Sequence, residues 1–482
     1  MPRFLQPIAY VSGALLMIMA CLMLAVTLYA AFNHDPAMQW FLRSCGLTMA
    51  VAVPLLLMGR SQEFKLVARQ LYLLTTASWV LMSLAGALPL YLGDFGLSPA
   101  NAVFEAVSGI TTTGSTILSG IETFSPSMLL WRSMLQWLGG LGVIGMAVSI
   151  LPFLRIGGMR LFHTESSDWS DKSMPRIQVL ARMLVITYLS LTLACSLSYW
   201  LVGMAPFDAV NHAMTTVSTG GYATDDRSMG RFANPVLWVG TLFMLIGALP
   251  FTLIISFVNR PRRAVLTNQQ VVGLLGIVAA VTSALSLYLA LTQEYAPIDA
   301  VTQSAFNLVS IITTTGYASS DYTLWGPFAI ALFFIVMFIG GCSGSTSGGM
   351  KVFRFQLSYL FLRSQIQRLI HPQGIFVTLY NRKPLPDDIT LSAVAFSFLF
   401  FVCLATFTLL LATLGLDLVT SLTAAAAALT NVGPGLGDIV GPAGNFAPLP
   451  DSAKWLLCFA MIMGRLELLT VIVLFSPIFW RG

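Results

Sequence analysis

The chain has 482 residues, of which 56% are apolar and 9% charged, with a formal net charge of +5. Soluble domains carry about 25% charged residues, so this composition excludes a soluble globular protein and points to a polytopic membrane protein. Lys and Arg lie between apolar runs and form no basic stripe, which excludes a nucleic-acid partner and leaves the lipid bilayer as the expected one.

A spanning helix needs about 20 apolar residues. Runs of that kind lie near 8–32, 41–59, 70–92, 128–153, 179–203, 234–258, 269–292, 327–350, 391–414 and 455–479. The first run is too long for a signal-peptide core and is read as a retained helix. Between these runs lie shorter apolar stretches near 98–111, 208–218, 303–313 and 418–430, too short to cross and each followed by Gly. Such stretches predict re-entrant segments. With the N-terminus cytoplasmic, one set of connections carries Arg60, Lys65, Arg69, Arg155, Arg160, Lys172, Arg176, Arg182, Arg260, Arg262, Arg263, Lys351, Arg354, Arg363, Arg368, Arg382 and Lys383. The opposite set carries Glu122, Asp225, Asp226, Asp321, Asp438 and Asp451. That asymmetry holds only if the four short stretches enter and leave on the outer side.

Four windows of thirteen residues superpose, each followed by a glycine: Asn101–Thr113 before Gly114, Asp208–Gly220 before Gly221, Gln303–Thr315 before Gly316 and Thr420–Val432 before Gly433. A second glycine follows each inside the next apolar run, at Gly139, Gly247, Gly340 and Gly464. The predicted fold is therefore all-α, with an N-terminal helix pair (1–66) and four helix–pore helix–helix repeats (67–156, 157–263, 264–375 and 376–482) around a central pore. Two readings of the loop glycines are open, as left-handed helix C-caps or as turns that bring backbone oxygens to an axis, and the two overlap. Carbonyls facing an axis replace the hydration shell of a cation, and the C-terminal ends of the short helices add partial negative charge. The filter residues so predicted are Thr112, Thr113 and Gly114; Thr219, Gly220 and Gly221; Thr314, Thr315 and Gly316; and Asn431, Val432 and Gly433. One shared glycine per loop predicts a short filter.

The ten small residues Gly340, Gly341, Cys342, Ser343, Gly344, Ser345, Thr346, Ser347, Gly348 and Gly349 stand inside the eighth run. They predict an unwound, mobile segment in the pore, and the absence of a following Gly-Lys-Ser/Thr excludes a phosphate loop. Arg465 lies inside the last run, and Glu467, two residues on, leaves a different helix face. A structural Arg on carbonyls of other helices and an electrostatic barrier below the filter are both open; we favour the barrier.

The six cysteines (Cys21, Cys45, Cys195, Cys342, Cys403 and Cys458) have no paired spacing, and His34, His163, His212 and His371 are scattered. No metal cluster, covalent cofactor or nucleophile–base pair emerges, so an enzyme is not expected. Glu105 and His212 on the short helices suit packing or vestibule roles.

Trp131-Arg132-Ser133, Gln136-Trp137-Leu138-Gly139-Gly140, Thr219-Gly220-Gly221-Tyr222, Thr313-Thr314-Thr315-Gly316-Tyr317, Gly340–Gly349 and Gly464-Arg465-Leu466-Glu467-Leu468 together resemble the TrkH family of potassium-uptake subunits, within the Trk/Ktr/HKT superfamily. The resemblance covers nearly the whole chain. It implies K⁺ bound at the filter residues, an intramembrane gating loop at 340–349, a pore arginine at Arg465, a homodimer in a bacterial inner membrane and a cytosolic TrkA-type nucleotide-binding partner. In the superfamily Ser at the first filter position goes with Na⁺, so Gly114 implies K⁺. The fourth loop, Asn431-Val432-Gly433-Pro434, departs most from the pattern and implies relaxed selectivity. The alternative is a secondary transporter coupled to H⁺ or Na⁺, against which stand repeats of one orientation.

Overall fold

Each short apolar stretch carries its own start signal. Pro99, Pro206 and Pro297 occupy first-turn positions where no N–H is needed, and Asp417 caps the fourth helix by accepting from the Thr420 N–H at 3.0 Å. In the computed structural model, which describes residues 4–60, 67–93, 96–149, 174–259, 267–374, 376, 378–381 and 383–481, these stretches form Pro99–Ile110, Pro206–Val217, Pro297–Ile312 and Leu418–Thr430.

Two long helices, Gln6–Phe32 and Met38–Gly59, come first and pack tightly as a pair. Gly13 and Gly59 permit this, since a Cβ at either would lie under 3.0 Å from backbone of the facing helix. Asp35 fixes the turn between them: it accepts from Ala37 N–H at 2.9 Å and from Ser127 N–H at 3.1 Å, tying the pair to the start of Pro126–Ser149.

Four units of long helix, short helix and outgoing helix follow. Among the described residues, Gln6–Phe32, Met38–Gly59, Arg69–Leu92, Gln178–Leu201, Gln269–Thr292 and Asp388–Thr413 are long and apolar enough to cross a membrane. Three predicted spans do not run through. The sixth bends by 100° between Gly247 and Phe251, and the tenth by 109° after Arg465. The eighth ends as a helix at Val336, and the chain then crosses itself in a two-residue parallel pairing of Ile339–Gly340 with Met350–Lys351. The repeat boundaries at 66, 156–157, 263–264 and 375 fall outside the described residues, as do His163 and the basic residues Lys65, Arg155, Arg160, Lys172, Arg260, Arg262, Arg263 and Arg382. Lys351 and Arg354, counted above among the cytoplasmic connections, are instead buried at 7% and 1% exposure.

The second glycine of each repeat has a packing reason. A Cβ on Gly139 would lie under 3.0 Å from the Ile110 carbonyl, and one on Gly464 equally close to that of Leu429; one on Gly247 would lie 3.1 Å from the Val217 carbonyl. In these three repeats the outgoing helix thus lies against the last turn of its own short helix. Gly340 differs, because its close neighbour is the Gly348 carbonyl of the unwound segment. We expect Gly464→Ala to lower stability by about 1–3 kcal/mol through overpacking against backbone, read as a fall in melting temperature of the detergent-solubilised protein. Gly276→Ala, on a helix position with nothing within 4 Å, is the control and should leave the melt unchanged or raise it.

Candidate functional site

All four short helices end in the same way. A residue just past the last helical turn takes a left-handed conformation: Thr112 at φ 51°, Thr219 at 52°, Thr314 at 57° and Asn431 at 54°. The next N–H reaches back five residues, from Thr113 to Ser108, Gly220 to Thr215, Thr315 to Ser310 and Val432 to Ala427, at 2.8–3.1 Å. This is the Schellman arrangement. The cap is therefore made by Thr or Asn, two residues ahead of the glycine, and the glycines are not the caps. Asn tolerates the left-handed region, but a β-branched Thr is strained there, and three such residues at equivalent places mark a site held by its surroundings.

The glycines do something else. Gly114, Gly221, Gly316 and Gly433 all have positive φ, between 80° and 104°. A Cβ on Gly114 would fall within 3.0 Å of the Gly220 carbonyl, on Gly221 of that of Thr315, on Gly316 of that of Val432, and on Gly433 of that of Thr113. Each loop's glycine thus abuts the backbone oxygen preceding the glycine of the next loop, and the fourth closes on the first. The twelve predicted filter residues lie together in this ring, and the four glycines line one cavity with Asp225 and Asp226 above them.

Side chains brace the ring between neighbouring units. Tyr222 donates to the Glu105 carbonyl at 2.7 Å, and Tyr317, one repeat on, to the equivalent His212 carbonyl at 3.2 Å. Ser115 donates to the Gly433 carbonyl at 2.8 Å, and Asn431 Nδ2 to Thr113 Oγ1 at 3.0 Å, sealing the fourth loop to the first. Glu105, fully buried, pairs with Arg132 at 2.8 Å and accepts from Thr116 and from the Ile117 N–H. Arg132 also lies over the Tyr222 ring at 4.2 Å. At the mouth, burial pushes the Asp225 pKa up, but hydrogen bonds and charge from Arg227 and the charge of Arg231 outweigh it and hold the carboxyl below its ordinary range. Thr112 Oγ1 and Asn431 Oδ1, both at left-handed positions, are buried oxygens without a hydrogen-bond partner.

Beneath the ring, residues 341–349 leave the helix and run across three repeats. Cys342 N–H donates to the Ala248 carbonyl at 2.9 Å, Thr346 Oγ1 to the Val217 and Gly247 carbonyls at 3.1 and 2.9 Å, and Gly348 N–H to Thr314 Oγ1 at 2.6 Å. Two cations hold consecutive carbonyls of the segment: Arg465 Nη1 binds that of Thr346 at 2.9 Å and Lys351 Nζ that of Ser347. Arg465 thus sits on a carbonyl of another element, while its Nε and Nη2 remain without partners beside a second cavity lined by Ser345, Ser347, Lys351 and Glu467. Glu467 pairs with Arg354, whose guanidinium lies over the Phe396 ring at 3.6 Å. Sequence reasoning missed Lys351 and Arg354 as parts of this site, because their partners are set by the break in the eighth run.

These features meet in known proteins. Residues 37–266 and 259–481 match the TrkH family, described as cation transport protein. The chain belongs to the TrkH family. It is 52% identical to the Trk system potassium uptake protein TrkI of Halomonas elongata over 477 residues, covering 98% of this chain and 97% of that one. It is 33% identical to the Trk system potassium uptake protein TrkH of Escherichia coli strain K12, covering 99% of each. The crystal structure of the potassium transporter TrkH from Vibrio parahaemolyticus superposes with a TM-score of 0.91 at 33% identity, again over 99% of each chain. The architecture expected from the repeats, two leading helices and four helix–short helix–helix units, is that of TrkH.

Thr314 ties ring and segment together, so it offers a direct test. Thr314→Val keeps the shape but leaves the Gly348 N–H without its acceptor, a loss of about 1–3 kcal/mol for a buried donor. Amide exchange over 341–349 should then quicken by about tenfold or more, measured by mass spectrometry on the solubilised protein; exchange at the wild-type rate would show that Thr314 does not hold the segment.

Proposed function

We propose that this multi-pass TrkH-family chain is the pore-forming subunit of a potassium uptake system. K⁺ passes through a short filter made by the four glycine loops and is controlled by the intramembrane segment 340–349. The observation that carries this is the closed ring, in which four loops of one chain bring the backbone oxygens of Thr113, Gly220, Thr315 and Val432 against their neighbours' glycines. Backbone carbonyls in such a ring suit a dehydrated monovalent cation, and short-helix C-termini meeting there favour positive charge. The unpartnered Thr112 Oγ1 and Asn431 Oδ1 supply further oxygens at the inner edge. K⁺ is the substrate because that is what the relatives' names give as their cargo.

Below the filter, Arg465 and Lys351 on the carbonyls of Thr346 and Ser347 put positive charge and a crossing backbone in the path of a cation. That arrangement suits a closed gate. Opening requires the segment to leave those cations and Thr314. The relatives' designation as parts of a Trk system fits a multicomponent assembly, which we read as a homodimer regulated by a cytosolic TrkA-type nucleotide-binding subunit. We read the N-terminus as cytoplasmic, on the asymmetry of the basic connections, and the membrane as a bacterial inner membrane.

The test is K⁺ or Rb⁺ flux into liposomes holding this protein alone and with a nucleotide-binding partner. We expect flux that Na⁺ competes with weakly; no flux in either preparation overturns the reading. Gly114→Ser, whose Cβ meets the Gly220 carbonyl, should shift selectivity towards Na⁺, and an unchanged K⁺/Na⁺ ratio would remove Gly114 from the filter. Arg465→Ala and shortening of 343–348 should both raise conductance, whereas no change in either leaves Arg465 with a packing role alone.

A further inference from the structure

The doubled glycine of the second loop has a counterpart 84 positions away. Gln136, fully buried on Pro126–Ser149, donates from Nε2 to the Gly220 carbonyl at 2.6 Å, and its Oε1 accepts from the Tyr222 N–H at 2.9 Å. One side chain thus grips the residues on both sides of Gly221. A Cβ at position 220 would lie under 3.0 Å from the Gln136 side chain, so Gly220 stands where the other loops have Thr113, Thr315 and Val432.

The other repeats lack this grip. Three residues before the packing glycines Gly139, Gly247, Gly340 and Gly464 stand Gln136, Met244, Met337 and Met461, all buried. Loops one and three are braced internally by hydroxyl pairs, Thr111 with Thr113 at 2.7 Å and Thr313 with Thr315 at 2.8 Å. In loop two the equivalent positions are Ser218 and Gly220, so no such pair can form. Gln136 replaces it from outside the loop.

We propose that Gln136 is a positioning residue for ion selectivity, setting the direction of the Gly220 carbonyl and so the shape of the oxygen ring. The inference rests on the filter reading above. Selectivity depends on oxygen placement, so loosening one of four ligands should alter discrimination between K⁺ and Na⁺ more than total flux.

Gln136→Met installs the residue of the other three repeats and removes both hydrogen bonds. In liposome flux assays we expect the K⁺/Na⁺ ratio to fall by about fivefold or more, the factor set by about one lost hydrogen bond, with K⁺ flux kept within about threefold. Adding Gly220→Thr to Gln136→Met permits a hydroxyl pair with Ser218 and should restore the ratio towards wild type. Gln136→Leu installs an apolar side chain of similar size, removes both hydrogen bonds, and should lower the ratio likewise. An unchanged ratio in a Gln136→Met or Gln136→Leu protein that melts with the wild type overturns the proposal. So does failure of both variants to fold, which makes Gln136 a packing residue. Wild-type protein without flux defeats the filter reading itself, and this inference with it.

Discussion

A backbone oxygen pressed against a neighbouring α-carbon is the contact on which this molecule turns. It occurs four times, always from one loop to the one before it, and no side chain fits in the gap. Much else follows from that steric condition. The loops need positive φ at the glycine, and the chain reaches it through a left-handed Thr or Asn two residues earlier. A left-handed residue of this kind costs about 1–2 kcal/mol. The surrounding Tyr, Ser and Asn hydrogen bonds hold the loops in place against that cost. The outgoing helices need their own glycines to lie against the short-helix ends. Packing, strain and site geometry are in this sense one constraint expressed at several radii.

Electrostatics organises the layer beneath. Three cations, Lys351, Arg354 and Arg465, and one carboxylate, Glu467, are buried around the unwound segment. Charges in such a place persist only when paired or held by oriented dipoles. Arg354 takes the carboxylate and an aromatic face, which leaves Lys351 and Arg465 to the segment's own carbonyls. The segment is thus both crossing the path and serving as counter-charge for two side chains. Its departure would strand both, so movement of the segment and solvation of Arg465 and Lys351 belong to one event.

Much of this was legible in the sequence because it rests on local rules. Span length, the four short apolar stretches and the in-phase glycines need only hydropathy and spacing, and the ten small residues at 340–349 announce an interrupted helix. What was not legible depends on partners far along the chain or on residues behaving against type. Propensity argues against Thr112, Thr219 and Thr314 in a left-handed cap, so the glycines stood as the candidate caps beside their other reading. Gln136 looks like an ordinary helix residue until Gly220 is set beside it. Glu467 was correctly separated from Arg465 by helix geometry, but its partner, Arg354, is 113 positions away. The doubled glycine was the physical clue to Gln136, since a loop that lacks its Thr must be braced from elsewhere.

The seal between the fourth loop and the first joins Ser115 to Gly433 and Thr113 to Asn431, each across 318 positions. Contacts so distant carry a large loop-closure entropy and slow assembly. On a ribosome, the first loop emerges and enters the bilayer with its neighbour on one side still unmade. Three loops stand as an open arc until Leu418–Thr430 and its outgoing helix arrive. The ring is therefore complete only once the fourth loop has been made, and a chain stopped short of Gly433 leaves buried polar groups of the first loop facing a gap.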